Sequence, residues 1–307
     1  MGFRIFGSIA GVNELSYNAI GARKEEMRQP AVAGSWYAGS AEGLRRQIEG
    51  CFLHRLGPGA LPAGAVEKVR YTLGLVSPHA GYQFSGPVAA NGFMHLSREP
   101  RPETVVILGP NHTGLGAPIA VSREDYWRTP LGDVEVDADL AGAIVAASRW
   151  ATLDDLAHRR EHSIELQLPF LQYAYGESGF KIVLIAMMEQ TFDVSQELGK
   201  AIAGAAADKN VMVVASSDFT HHESHEAASR KDKLAIQAIL DLDPRRLAEV
   251  VDNHRISTCG PGPVMAMLTA CKQLGATQAR LLRYADSGDI TGDYQRVVGY
   301  ASVCVSS

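Results

Sequence analysis

Three apolar runs in this chain each end in a side chain that can bind a metal or move a proton. In the first, Thr72 to Val76 reads as a short buried strand, followed by Ser77-Pro78-His79-Ala80-Gly81-Tyr82. Pro78 cannot continue a hydrogen-bonded ladder, so His79 falls just past the strand end, and Gly81 lets the chain turn away. The design recurs at Val105-Val106-Ile107-Leu108-Gly109-Pro110-Asn111-His112. It recurs with different chemistry at Val211 to Ala215, followed by Ser216-Ser217-Asp218-Phe219-Thr220-His221. In open α/β sheets the crevice beyond the carboxyl ends of the strands is where ligands bind. That crevice is the expected site.

A fourth element can complete it. Cys259 precedes Gly260-Pro261 and the apolar helix expected over Val264 to Leu274, so it lies at or near a helix N-terminus. Free N–H groups and the helix dipole there favour thiolate over thiol. A thiolate with two imidazoles suits Fe(II), copper or zinc. Three protein ligands with a vacancy is the pattern of a catalytic metal. No HxH or HExxH fixes two ligands on one element, and a single histidine is more often hydrogen-bonded structure than a ligand. The case rests on convergence: His79, His112, Asp218, His221 and Cys259 all fall in loops after strands or before a helix. Asp218 and His221 could orient ligands or serve as acid and base. His222 and His225 either extend the cluster or face solvent.

The stretch Glu161-His162-Ser163-Ile164-Glu165 carries two readings. In one, Glu161 and Glu165 are first-turn charges on a solvated helical face. In the other, they form a carboxylate–histidine cluster with His162 facing the site. Ile164, Leu168 and Leu171 share a helical face, and Pro169 should kink or break that helix. Trp36, Tyr37, Tyr82 and Trp127, the last in a loop over 126–132, are candidates to line the pocket.

The elements that must position these residues alternate between strand and helix. Ser40 is the expected N-cap of a helix reaching about His54, and Asp137 of one reaching about Arg149. Further strands are expected over 104–108, 119–122, 133–136, 181–188, 280–285 and 296–305. Helices are expected over 87–96, 194–207, 224–240 and 244–253. Alternation of this kind argues one α/β domain over 27–307, a central sheet flanked by helices. Residues 1–26 read as a peripheral extension.

Composition sets the outer bounds. The chain has 307 residues, enough for a sizeable core, with 46% hydrophobic and 21% charged residues. A net charge of -5 without a Lys/Arg block gives no support for nucleic-acid binding. Cys51, Cys259, Cys271 and Cys304 are widely spaced, so a reduced, cytoplasmic compartment is expected, with Cys51 and Cys271 in the core. No apolar run is long enough to span a bilayer, so no membrane association is expected.

Taken together, the motifs Ala33-Gly34-Ser35-Trp36-Tyr37, Pro78-His79-Ala80-Gly81-Tyr82, Leu108-Gly109-Pro110-Asn111-His112, Glu161-His162-Ser163-Ile164-Glu165, Ser216-Ser217-Asp218-Phe219-Thr220-His221 and Thr258-Cys259-Gly260 resemble the Memo family, also called AmmeMemoRadiSam system protein B. The resemblance covers roughly nine-tenths of the chain, in family order, and begins at about Met27. It implies a fold like the class III extradiol dioxygenases, one α/β domain around a central mixed sheet. It also implies a metal site on His79, His112 and Cys259, with Asp218 and His221 as neighbouring pocket residues. Iron or copper is the metal the resemblance implies. For prokaryotic members it implies a radical SAM partner and an AMMECR1-like partner.

One departure from the dioxygenases bears on function. Those enzymes hold Fe(II) with two histidines and a carboxylate. A cysteine here would carry more electron density to the metal and is itself oxidisable. Two functions are therefore expected. The first is redox chemistry on a small molecule at a metal, with Asp218 and His221 handling protons. The second is a non-catalytic module that holds a peptide or protein segment in the same pocket. A metal-free scaffold for a partner enzyme is a third reading.

Overall fold

The computed structural model describes residues 25–176 and 179–307. Most of the expected N-terminal extension, residues 1–24, lies outside the described residues. In chain order the elements are β1 (Met27–Arg28), α1 (Ala41–Leu53), β2 (Thr72–Ser77), α2 (Gly86–Ser97), β3 (Thr104–Pro110), β4 (Ile119–Val121), β5 (Tyr126–Thr129), β6 (Gly132–Glu135), α3 (Ala138–Ala147) and β7 (Ala151–Leu153). A 3₁₀ turn (Glu165–Gln167) then leads into α4 (Leu168–Tyr175), β8 (Lys181–Met187), α5 (Phe192–Ala206), β9 (Val211–Ser216), β10 (His221–Glu223), α6 (His225–Leu240), α7 (Pro244–His254), α8 (Pro261–Gln273), β11 (Gln278–Asp286), α9 (Gly288–Thr291) and β12 (Val297–Ser306). Ser40 and Asp137 cap α1 and α3 through their side chains, as their sequence positions predict.

The main sheet runs β10-β12-β2-β9-β3-β8-β4-β7, with β11 paired to β12. Its centre, β2-β9-β3-β8, is parallel, and β12 and β4 close it antiparallel on either side. The sheet is therefore mixed. Alternate residues of the central strands enter two different cores. Val76, Val106, Leu108 and Val213 pack with α5 and α8, while Leu75, Val105, Ile107 and Val214 pack with α1, α2 and α4. Burial on both faces explains why these strands read as continuous apolar runs. The result is one α/β layer structure with helices on both sides of the sheet.

This order fixes the site. β9 lies between β2 and β3. His79, Asp218 and His112 each sit two residues beyond the last residue of β2, β9 and β3 respectively. Parallel neighbours bring three carboxyl ends to one edge, with the strand that leads to Asp218 between those that lead to the two histidines.

Two local expectations are corrected. Residues 126–129 form a strand, not a loop. They pair with β1 and β6 in a second sheet of three strands, and Trp127 is fully buried there. Residues 161–164 are not helical. The regular helix starts at Leu168, and Pro169 occupies its first turn, where its missing N–H costs nothing. A kink is thus avoided, and Glu161 and Glu165 are free to point inward. Neither is solvated: each is 0% exposed.

Candidate functional site

His79 leaves β2 into a buried setting, 2% exposed. Its backbone N–H donates to Asp218 Oδ1 at 2.8 Å, and its Nδ1 lies 2.8 Å from Ser216 Oγ. Its Nε2 lies 3.2 Å from Cys259 Sγ. The Asp218 N–H also points at that sulfur, at 3.2 Å. Cys259 stands one residue before Gly260, the N-cap of α8. Gly260 is required here: a Cβ would meet Ser216 O at 2.7 Å and Ser217 Cβ at 2.8 Å. The bare approach presses Cys259 against the end of β9.

His112 is held by Glu161. That carboxylate accepts the His112 backbone N–H at 2.6 Å and contacts Nδ1 at 2.9 Å. A carboxylate only accepts, so Nδ1 carries a hydrogen, and in the neutral ring Nε2 keeps the lone pair. Glu161 also accepts the backbone N–H groups of His162 and Ser163, each at 2.9 Å. Burial alone would raise its pKa, but the hydrogen bond and charge from His112 outweigh it and hold the group down at about 2.

Three histidines converge. Ligand atoms of His79, His112 and His162 all lie within 4.8 Å of one another. The His79 ring stands nearly perpendicular to both others, with interplanar angles of 75° and 77°. His112 and His162 stack at 4.5 Å and 17°, and Trp36 covers His162 at 4.1 Å. Burial keeps His79 well below the ordinary histidine pKa and lowers His162 to about 4, so both offer neutral rings to a metal.

A family profile described as Memo-like protein matches residues 28–304. The chain belongs to the Memo family. It is 50% identical over 279 residues to a MEMO1 family protein of Methanopyrus kandleri, covering 90% of this chain and 98% of that relative. A MEMO1 family protein of Methanocaldococcus jannaschii is 48% identical over 288 residues, covering 91% and 99%. Among solved structures, an uncharacterized protein of Escherichia coli K12 shares the fold at 15% identity, with a TM-score of 0.53 over 77% of this chain and 100% of that one.

The other expected site residues of this Memo protein fall into two groups. Asp218 and His221 stand beside the cluster. Burial raises the Asp218 carboxyl to about 6, against the pull of the His79 N–H and the His221 charge. His221 contacts the Ser257 carbonyl through Nδ1 at 2.8 Å, which leaves its Nε2 free to accept a proton. The aromatic residues divide. Trp36 faces the cluster, and its carbonyl accepts the Tyr82 N–H at 2.9 Å. Tyr37 and Tyr82 are buried and brace the site from beneath, through Glu165 and the Leu166 carbonyl, each at 2.7 Å. Trp127 lies apart from the histidines. It packs on Arg28 and His158, and its indole N–H donates to Ser122.

Burial also corrects the expected thiolate. Desolvation and the neighbouring Asp218 push the Cys259 thiol well above its usual pKa. Sulfur one residue outside the helix gains little from the dipole. Proximity to a metal cation would reverse that balance.

Sequence reasoning passed over Ser216, Gln167 and the Arg28–Glu165 pair. Ser216 stood in a quoted motif, but a serine at a strand end carries no chemical signal until its neighbours are known. Among the described residues, no helix is long and apolar enough to cross a membrane.

Proposed function

We propose that this protein binds a metal through His79, His112 and Cys259, with redox-active iron first, copper as its redox-active alternative, and zinc as an alternative occupant without redox chemistry. Its function on this reading is redox chemistry on a small molecule. The observation that carries it is the convergence of two imidazoles with buttressed Nδ1 positions and a thiol 3.2 Å from the His79 Nε2. The donor set is soft to borderline and fits these metals. His162 is nearer the histidines than a bystander would need to be, yet it stacks on His112 at 17°. In-plane lone pairs of parallel rings do not meet on one ion, which favours Cys259 as the third ligand. The metal, when bound, would supply one-electron chemistry to a bound substrate. Asp218, with its carboxyl near 6, can take or give a proton close to neutral pH. His221 can accept one at Nε2. Cytoplasmic residence and the radical SAM and AMMECR1-like partners belong to the same proposal, through the family.

A specific observation favours a second reading, a peptide-binding module without turnover. An open groove of about 510 Å³ adjoins the cluster, lined among others by Trp36, Gln83, Phe84, His222 and Arg296. Aromatic-lined grooves suit extended peptides.

The deciding experiment is metal content after anaerobic purification, in wild type and Cys259→Ser. Near-stoichiometric iron or copper in wild type, lost in the variant, is the expected result. Stoichiometric iron retained in His79→Ala/Cys259→Ala sinks the three-ligand site. Oxygen uptake separates the two readings, because a binder consumes none.

A further inference from the structure

Beneath His79 lies a set of buried polar groups centred on the Ser216 hydroxyl that buttresses its Nδ1. Ser216, the last residue of β9, is fully buried. Its hydroxyl has three neighbours. Oγ donates to the Ser163 carbonyl at 2.7 Å, and a carbonyl can only accept, so the single hydroxyl hydrogen is committed there. Gln167 Nε2 lies 2.9 Å away, on the other side. That end of the amide also lies 3.0 Å from the Pro78 carbonyl, so it is the NH₂ end and donates. The third neighbour is His79 Nδ1 at 2.8 Å. With the hydroxyl hydrogen already placed, Oγ can only accept from this nitrogen. In the neutral ring the one N–H therefore sits on Nδ1, and Nε2 carries the lone pair. Nε2 is the atom 3.2 Å from Cys259 Sγ.

We propose that Ser216 is a positioning residue that fixes His79 as the Nδ1–H tautomer and so presents the Nε2 lone pair to the Cys259 side of the site. The inference deepens the metal-site reading and rests on it for its purpose. The tautomer itself is a property of the metal-free chain. Gln167 supports the arrangement by filling the second acceptor position of the hydroxyl. The same hydroxyl joins three parts of the fold: the end of β9, the exit of β2 at His79, and the 161–167 segment that carries Glu161. Glu161 in turn sets His112. One buried oxygen thus places one histidine and ties it to the segment that orients the other. Partners of this kind fix the ring orientation and basicity of metal-binding histidines.

The test is long-range ¹H–¹⁵N NMR of the histidine rings in the metal-free full chain at neutral pH. His79 signals are assigned by their loss in His79→Gln. Wild type is expected to show the Nδ1–H pattern at His79, and an Nε2–H pattern overturns the proposal without any further variant. In Ser216→Ala the expected result is a mixed or Nε2–H population, with Co(II) affinity lowered roughly tenfold to a hundredfold. An unchanged tautomer in that variant also overturns it. The two claims fail separately. A wild-type chain that binds no Co(II), Fe(II) or Cu(II) removes the metal reading, while the ring spectrum still decides what Ser216 does.

Discussion

Glu161 takes two hydrogen bonds from one residue: the backbone N–H of His112 at 2.6 Å and its ring Nδ1–H at 2.9 Å. Two more N–H groups, from His162 and Ser163, complete its shell. A fully buried carboxylate with four donors stays ionised and fixes the ring. Gln at this position keeps the shape but turns its NH₂ either toward the His112 backbone N–H, which can only donate, or toward the ring Nδ1, which must then give up its hydrogen to accept. Glu161→Gln should therefore release His112 and lower Co(II) affinity roughly tenfold to a hundredfold. Calorimetric titration measures it. A wild-type isotherm would show that Glu161 serves folding alone.

A second carboxylate on the same segment has a structural task. Glu165 is ion-paired with Arg28 and accepts the Tyr37 hydroxyl and the Ala31 and Val32 N–H groups. Arg28 also donates to the carbonyls of His158 and Glu161. Both side chains are nearly inaccessible, at 4% and 0% exposed. Removing one partner strands a buried charge. Arg28→Met should destabilise the protein by about 3–5 kcal/mol. Arg28→Met/Glu165→Gln should cost less than the sum of the two single changes, because neither leaves the other exposed to the low dielectric. Urea denaturation of the four proteins closes the cycle. Additive costs would argue that the pair is not coupled.

These carboxylates also show what the sequence could and could not disclose. The strand ends at His79, His112 and Asp218 were legible because buried parallel strands are apolar throughout and Pro78 and Pro110 punctuate them. Glu161 and Glu165 allowed opposite readings, since periodicity does not record whether a segment is helical before its proline. Trp127 was legible as aromatic but not as core: its strand is four residues long, and its partner strand, two residues long, lies 99 positions earlier in the hydrogen bond that aligns them. Cys259 was placed correctly near a helix start, whereas its protonation depended on burial, which no local pattern encodes.

His158 links the core to pH. It is fully buried, and its Nε2 lies 3.0 Å from the Ala120 carbonyl, which only accepts. Nδ1 has no partner. Burial, helped by the Arg28 charge, lowers its pKa from 6.5 to about 4, while Asp154 and Asp155 oppose this only in part. The unfolded chain binds this proton more tightly than the folded one. Stability from His158 is thus fully present above about pH 6.5 and is lost as pH falls toward 4, by up to about 3 kcal/mol. His158→Gln can keep the donor to Ala120 without the titration. Its unfolding free energy should fall less steeply than wild type between those values. Parallel pH profiles would remove His158 as a source of acid sensitivity.

Gly260 offers a test of how closely Cys259 must sit. Its backbone N–H donates to Ser217 Oγ at 3.1 Å, and a Cβ there would meet Ser216 O and Ser217 Cβ below 3 Å. Neither neighbour is the end of a flexible chain, so Gly260→Ala must push the loop away from β9. Overpacking of this kind costs about 1–3 kcal/mol. The sulfur should move off His79 Nε2 as the loop lifts. Cys51, Cys271 and Cys304 are buried and Cys259 is partly exposed, so Cys259 is expected to take most of the alkylation of the native protein. The variant is expected to react faster with iodoacetamide than wild type and to bind Co(II) more weakly. Unchanged reactivity with full metal affinity would mean that the loop absorbs the methyl without shifting Cys259, and that the close approach is not what positions the thiol.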